Sequence, residues 1–194
     1  MKAETHSTAA GPAATTLTAF AGFQRIAAGT RAEVTDQLRR RADDQPVFVF
    51  DDATGEPLDL DLREGPTQAA ADAAAPAPVR AVGRPKLGVV AREVTLLPRH
   101  WDWLNRQPGG ASVALRKLVE DARRVHAGRD TERASREATY RFMSAIGGHL
   151  PSFEEAARAL FAGKRERFDE LTADWPGDWR AYLQKLSAHS WGPV

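Results

Sequence analysis

The chain has 194 residues, 42% hydrophobic and 27% charged, with a net charge of +1, which suits a globular chain of one medium or two small domains. It has no cysteine, which removes disulfide frameworks and cysteine-based zinc sites. No apolar run reaches membrane-spanning length and the N-terminus lacks the apolar core of a signal peptide, so the expectation is a cytoplasmic protein with no membrane partner.

Residues 1–16 are polar and alanine-rich with little to bury, which predicts a disordered tail. From Leu17 to Ala28, the residues Leu17, Phe20, Phe23 and Ile26 around Gly22 predict a hairpin. Thr30-Arg31-Ala32-Glu33 has the form of a capping box opening a helix to about Arg41. Val47 to Phe50 reads as a buried strand and Asp51 to Gly55 as a turn. Leu58, Leu60 and Leu62, alternating with Asp59, Asp61 and Arg63, read as a half-exposed strand. Residues 17–63 are thus expected to form a small ββαββ unit. Asp51, Asp52, Asp59 and Asp61 are the one dense carboxylate group, but turn chemistry and strand alternation explain them without a metal.

Residues 64–82, rich in Ala and Pro, predict a flexible linker. Arg84 and Lys86 follow within Gly83-Arg84-Pro85-Lys86, where Gly-Arg-Pro is the core of the minor-groove peptide called the AT-hook. Val82 stands where the fuller hook has Arg, so the expectation is a basic arm touching phosphates.

The stretch 87–125 carries the most information. Val89, Val90, Val94, Thr95, Leu96 and Leu97 predict a strand ending at Pro98, which suits a helix start. Leu97, Trp101 and Leu104 recur at helical spacing, and Pro108-Gly109-Gly110 predicts a turn with positive φ. Ser112 is expected to cap a second helix. Leu115, Leu118, Val119, Ala122 and Val125 would form its apolar face, with Arg116, Lys117, Arg123 and Arg124 pointing away. A lone strand leaves its amides and carbonyls unpaired, and helices of about three turns are marginal alone. The simplest remedy is a homodimer in which two strands pair across a two-fold axis.

Leu97-Pro98, Gly110-Ala111-Ser112 and Leu115-Arg116 resemble the signature of the ribbon-helix-helix family of bacterial DNA-binding proteins. The resemblance implies a two-stranded ribbon in the major groove and second-helix amides holding a phosphate. In that family's register Arg92, Val94 and Leu96 would face the bases, two of them apolar, while Glu93 and Thr95 would point inward. Val94 and Leu96 can touch thymine methyls but form no base-edge hydrogen bonds.

Residues 80–129 hold 11 basic and 4 acidic residues, whereas 1–63 hold 7 and 10 and 130–194 hold 9 and 10. The basic excess is therefore confined to the central segment, as expected of a surface that meets a polyanion.

Beyond Gly128, Ala134, Ala138, Phe142 and Ala145 predict a separate helix stopped by Gly147-Gly148. Ser152-Phe153-Glu154-Glu155 has capping-box form, and Ala156, Ala159 and Leu160 lead to Gly163. Phe168, Leu171 and Trp175 mark another short helix. Asp178 is expected to cap a last one carrying Trp179, Tyr182, Leu183 and Leu186. No nucleophile elbow, dinucleotide fingerprint or paired-histidine zinc motif occurs. Lys164 after Gly163 lacks the Ser or Thr of a P-loop, and His6, His100, His126, His149 and His189 are scattered singly. The chain is read as a non-enzyme with no cofactor and no metal.

Gly83 to Arg124, Tyr140 to Met143 and the segment PSFEEAARALFAG resemble a bacterial domain-of-unknown-function family, number 2239, which implies a bacterial source and no established activity. The fold expected is α+β: an N-terminal unit at 17–63, the linker, a ribbon-helix-helix-like segment at 83–129 and a helical appendage at 130–194. The function expected is a dimeric DNA-binding protein, a transcriptional regulator. Arg84, Lys86, Arg92, Val94, Leu96, Arg99, Ser112 and Arg116 form its DNA-contacting set. The alternative is a protein-interaction module with a protein partner in place of DNA.

Overall fold

The structure, a computed structural model, describes residues 15–63, 90 and 92–192. Most of the expected tail, the linker at 64–82, and Arg84 and Lys86 lie outside them. The fold is mixed α+β, and the chain divides into two compact units, one of residues 1–65 with 129–194 and the other of 66–128.

In the first unit, β1 (Thr16–Ala21) and β2 (Gln24–Thr30) form the expected hairpin, with Gly22 at φ 54° in the turn. Ala19 pairs with Ala27 but Phe20 with Arg25, so Ile26 is the extra residue of a bulge. α1 (Arg31–Arg39) opens on the predicted capping box: the Thr30 hydroxyl accepts from the Glu33 amide while the Glu33 carboxylate accepts from the Thr30 amide at 2.8 Å. β3 (Val47–Asp51) pairs with β1, and β4 is reduced to Pro57–Leu58. The half-exposed strand expected through Leu62 thus stops early, although Leu58 and Leu60 still pack against the core. The sheet order is β2-β1-β3-β4, antiparallel throughout.

This sheet is covered on both faces. Leu17, Ala19, Ala27 and Val49 meet Val34 and Leu38 of α1, while Phe20 and Phe50, offset by one residue in the two-residue strand period, join the C-terminal helices. The N-terminal unit and the helical appendage that the sequence reading kept apart therefore share a core. Phe142 sits at its centre, with ring centroids 4.7 Å from Tyr182, 4.9 Å from Phe50 and 5.6 Å from Phe20.

α2 (Pro98–Asn105) starts at Pro98 as expected. α3 (Gly110–Ile146) is one helix of 37 residues where the sequence suggested two. Gly128 does not break it, because an interior glycine costs only about 1 kcal/mol relative to alanine and the flanking residues are adequate helix formers. α4 (Phe153–Phe161), α5 (Arg165–Leu171) and α6 (Gly177–Leu186) follow, with a 3₁₀ turn at Ser187–His189.

Two caps differ from expectation. Ser152 is left-handed, at φ 59°, so its hydroxyl makes no cap hydrogen bond. Asp178 lies inside the first turn of α6, and its carboxylate accepts from the Arg25 backbone amide at 2.8 Å, which fixes α6 to the hairpin. The neighbouring Trp179 reinforces that join: its indole N–H donates to the Gly22 carbonyl at 3.2 Å and its ring lies 4.9 Å from that of Phe23.

The β3–β4 turn is seated on α3. Gly55 has φ 67°, and a Cβ there would lie 2.0 Å from the Ala138 carbonyl oxygen. Gly55→Ala is expected to cost about 2 kcal/mol, combining left-handed strain with that close approach. Chemical denaturation that leaves the midpoint unchanged would contradict it.

Candidate functional site

The second unit contains α2 and the first part of α3. Among the described residues Leu104 and Ala114 are its buried apolar ones, and Leu96, His100, Trp103, Leu104, Leu115 and Leu118 line a groove of about 250 Å³ between the two helices. Gly109 and Gly110, at φ 85° and 75°, make the predicted turn. The Gly110 amide donates to the Gln107 carbonyl, so α3 starts two residues before Ser112. Ser112 is accordingly a first-turn residue and not the cap. With α3 starting at Gly110, the amides of Ala111 and Ser112 belong to the set that a helix start leaves without an intrahelical acceptor.

Among the described residues of the expected ribbon strand, 90 and 92–97, none carries a strand assignment. Among the described residues none of their backbone amides is hydrogen-bonded, while the Leu97 carbonyl accepts from His100 and Trp101 at the start of α2. The physical reason is the one that made dimerisation attractive, since a strand exists only by pairing and the four sheet strands described all belong to the first unit.

Leu96, expected to face outward, instead lines the groove and is only half-buried, while Val94 is 52% exposed. Arg92, Arg99 and Arg116 are exposed and, among the described residues, held by no ion pair. Further along α3, Arg123 and Arg124 pair with Glu120 and Asp121, so part of the basic excess is neutralised within the helix. The structure thus brings Arg92, Val94, Leu96, Arg99, Ser112 and Arg116 into one unit, with the cations nearest the helix starts unpaired.

A second polar cluster, which the sequence reading did not identify, lies in the first unit. The Asp52 side chain, 8% exposed, accepts from the Thr18 hydroxyl at 2.7 Å, the Tyr182 hydroxyl at 3.0 Å and the Lys185 ammonium at 2.7 Å. Burial pushes the Asp52 carboxyl up, but hydrogen bonds from Lys185, Thr16, Thr18 and Tyr182 outweigh it and leave the group below the usual carboxylate range. Burial, and then the Asp52 charge, push the Tyr182 hydroxyl well above its ordinary value. A tyrosine held protonated and a carboxylate with its acceptor sites occupied suit a structural clasp rather than proton transfer. The adjacent Asp51 serves the turn, accepting from the amides of Ala53 and Thr54. Turn chemistry signals Asp51 in the sequence, whereas nothing local links Asp52 to residues 130 positions away.

The model of a family described as uncharacterized protein conserved in bacteria (DUF2239) matches residues 16–187, which takes in both units. No curated protein and no solved structure matches the chain. No helix among the described residues is long and apolar enough to cross a membrane.

Proposed function

The chain belongs to the bacterial family DUF2239, and from that premise we propose that it is a dimeric DNA-binding protein acting as a transcriptional regulator through a ribbon-helix-helix-like module at residues 83–129. One observation carries the reading. Among the described residues, the backbone amides of 92–97 make no hydrogen bond, and this segment runs into a helix–turn–helix unit whose exposed Arg92, Arg99 and Arg116 have no acidic partner. Pairing such segments from two copies would satisfy the backbone and double the cationic surface. The arm residues Arg84 and Lys86 and the amides beside Ser112 would add phosphate contacts, and Val94 would meet thymine methyls.

The test is the affinity of the full chain for random duplex across salt concentrations. With about seven phosphates neutralised per dimer, a log-log slope of about −6 is expected. Arg99→Ala and Arg116→Ala should each weaken binding evenly across sequences and flatten that slope. Affinity that does not change with salt would refute the proposal.

A second reading has its own support: Val94 and Trp103 are about half exposed beside the groove, as in a module that docks another protein. A chain with no duplex affinity at low salt would favour this adaptor role.

A further inference from the structure

We propose that the groove between α4 and α5 is a binding site for a small organic monoanion, a carboxylate on a short apolar body. The site lies wholly within the first unit and stands apart from the DNA-binding reading.

Helical spacing builds the walls. Glu155, Arg158, Ala159 and Ala162 share one face of α4 and its C-terminal end, and Lys164, Arg167 and Leu171 follow one another by three and four residues along α5. Together they line a groove of about 280 Å³. Its apolar lining is buried Ala159, exposed Ala162 and half-buried Leu171. The two alanines leave the hollow open, because a longer side chain at either would occupy it. The turn between the helices then places a cation beside it. Gly163 has φ 68°; its amide donates to the Leu160 carbonyl at 3.1 Å and the Lys164 amide to the Ala159 carbonyl at 2.9 Å, the two bonds of a Schellman stop. In that motif the residue after the glycine commonly makes an apolar contact with the last helical turn. Here it is Lys164, which lines the groove with Ala159 and brings an ammonium to its rim.

Charge selects the ligand. Arg158 lies 3.5 Å from Glu155 and Arg167 2.8 Å from Glu170, so each of these cations already has a carboxylate. Lys164 has no ion pair among the described residues. One surplus positive charge beside an apolar hollow is matched by one negative charge on an apolar body, while Glu155 and Glu170 repel a polyanion. The volume is at the small end of the range for ligand pockets, so it suits a small molecule rather than a protein partner, which needs a face of about 800 Å².

The test is titration of the full chain with octanoate, followed by amide chemical shifts. A Kd on the order of 0.1–1 mM is expected, with the shifted amides gathered on α4 and α5. Octanamide and octylamine, which lack the negative charge, should bind about ten-fold more weakly or not at all. Lys164→Met keeps the stem and removes the charge, and should reduce octanoate to the level of octanamide, whereas Lys164→Arg should retain most of the affinity. Ala162→Phe, at an exposed position that leaves the fold intact, should fill the hollow and abolish binding. Octanamide that binds as tightly as octanoate would overturn the proposal. So would octanoate that binds equally well to Lys164→Met and Ala162→Phe, since it would then sit elsewhere, as in the groove between α2 and α3. Amide shifts that stay still at ten times the expected Kd would overturn it outright.

Discussion

Phe142→Ala is expected to lower the stability of the first unit by about 4 kcal/mol, the largest single effect foreseen for this chain. The side chain is 1% exposed and its ring contacts those of Phe20, Phe50, Trp179 and Tyr182, drawn from β1, β3 and α6. Truncation removes the transfer energy of a buried aromatic and leaves a cavity that rings held from three directions cannot collapse to fill; Phe→Ala at such sites costs about 3–5 kcal/mol. Edge-to-face pairs contribute about 0.5–1.5 kcal/mol each beyond their area, and they are lost together. A melting midpoint lowered by on the order of 10 °C should follow. A drop of only a degree or two would mean that the sheet and the C-terminal helices do not share one core.

Asp52→Ala should cost about 3 kcal/mol. Half-exposed Lys185 can turn to water, so the ion pair itself contributes little. The expense lies with Thr18, 1% exposed, and Tyr182, 3% exposed, whose hydroxyls would lose their acceptor. Asp52→Asn keeps an acceptor oxygen and should lose less. The pH dependence follows from the directions of the two shifts. The Asp52 pKa is lowered on folding, so its contribution is fully present above the unfolded value of 3.8 and is lost as pH falls through the folded value below it. The Tyr182 pKa is raised, so its contribution is complete below the unfolded value of 10.0 and drains away above it. Urea midpoints of the natural chain should therefore decline at both extremes, and Asp52→Ala should flatten the acid side. An acid limb unchanged by Asp52→Ala would mean that other carboxylates set it.

Much of the local structure was legible because its causes are local. Thr30 and Glu33 announce α1, Gly22 the first hairpin and Pro98 the start of α2, each by satisfying or removing particular backbone groups. The misreadings arose where distant residues decide. Gly128 resembled a stop because its cost was judged without the helix formers on both sides. Asp178 resembled a cap, but it is claimed by the Arg25 amide. Phe20 and Phe50 gave no hint that they belong with Phe142, because a strand buried on both faces reads simply as apolar. The candidate site was half legible. The helix–turn–helix and its cations follow from spacing and composition, but the groove that takes in Leu96 appears only once α2 and α3 are packed.

The clasp around Asp52 also sets an order of events during synthesis. The sheet begins at residue 16, yet the partners that cover Phe20 and receive Asp52 lie at residues 142, 179, 182 and 185. Until the ribosome has delivered that last helix, the nascent sheet carries incompletely covered phenylalanines and a carboxylate that lacks its Tyr182 and Lys185 donors, so closure of this core is a late step that intervening chain cannot hasten. Chains that end before residue 177 should therefore be handled by the cell as unfinished and sent to chaperones or proteases.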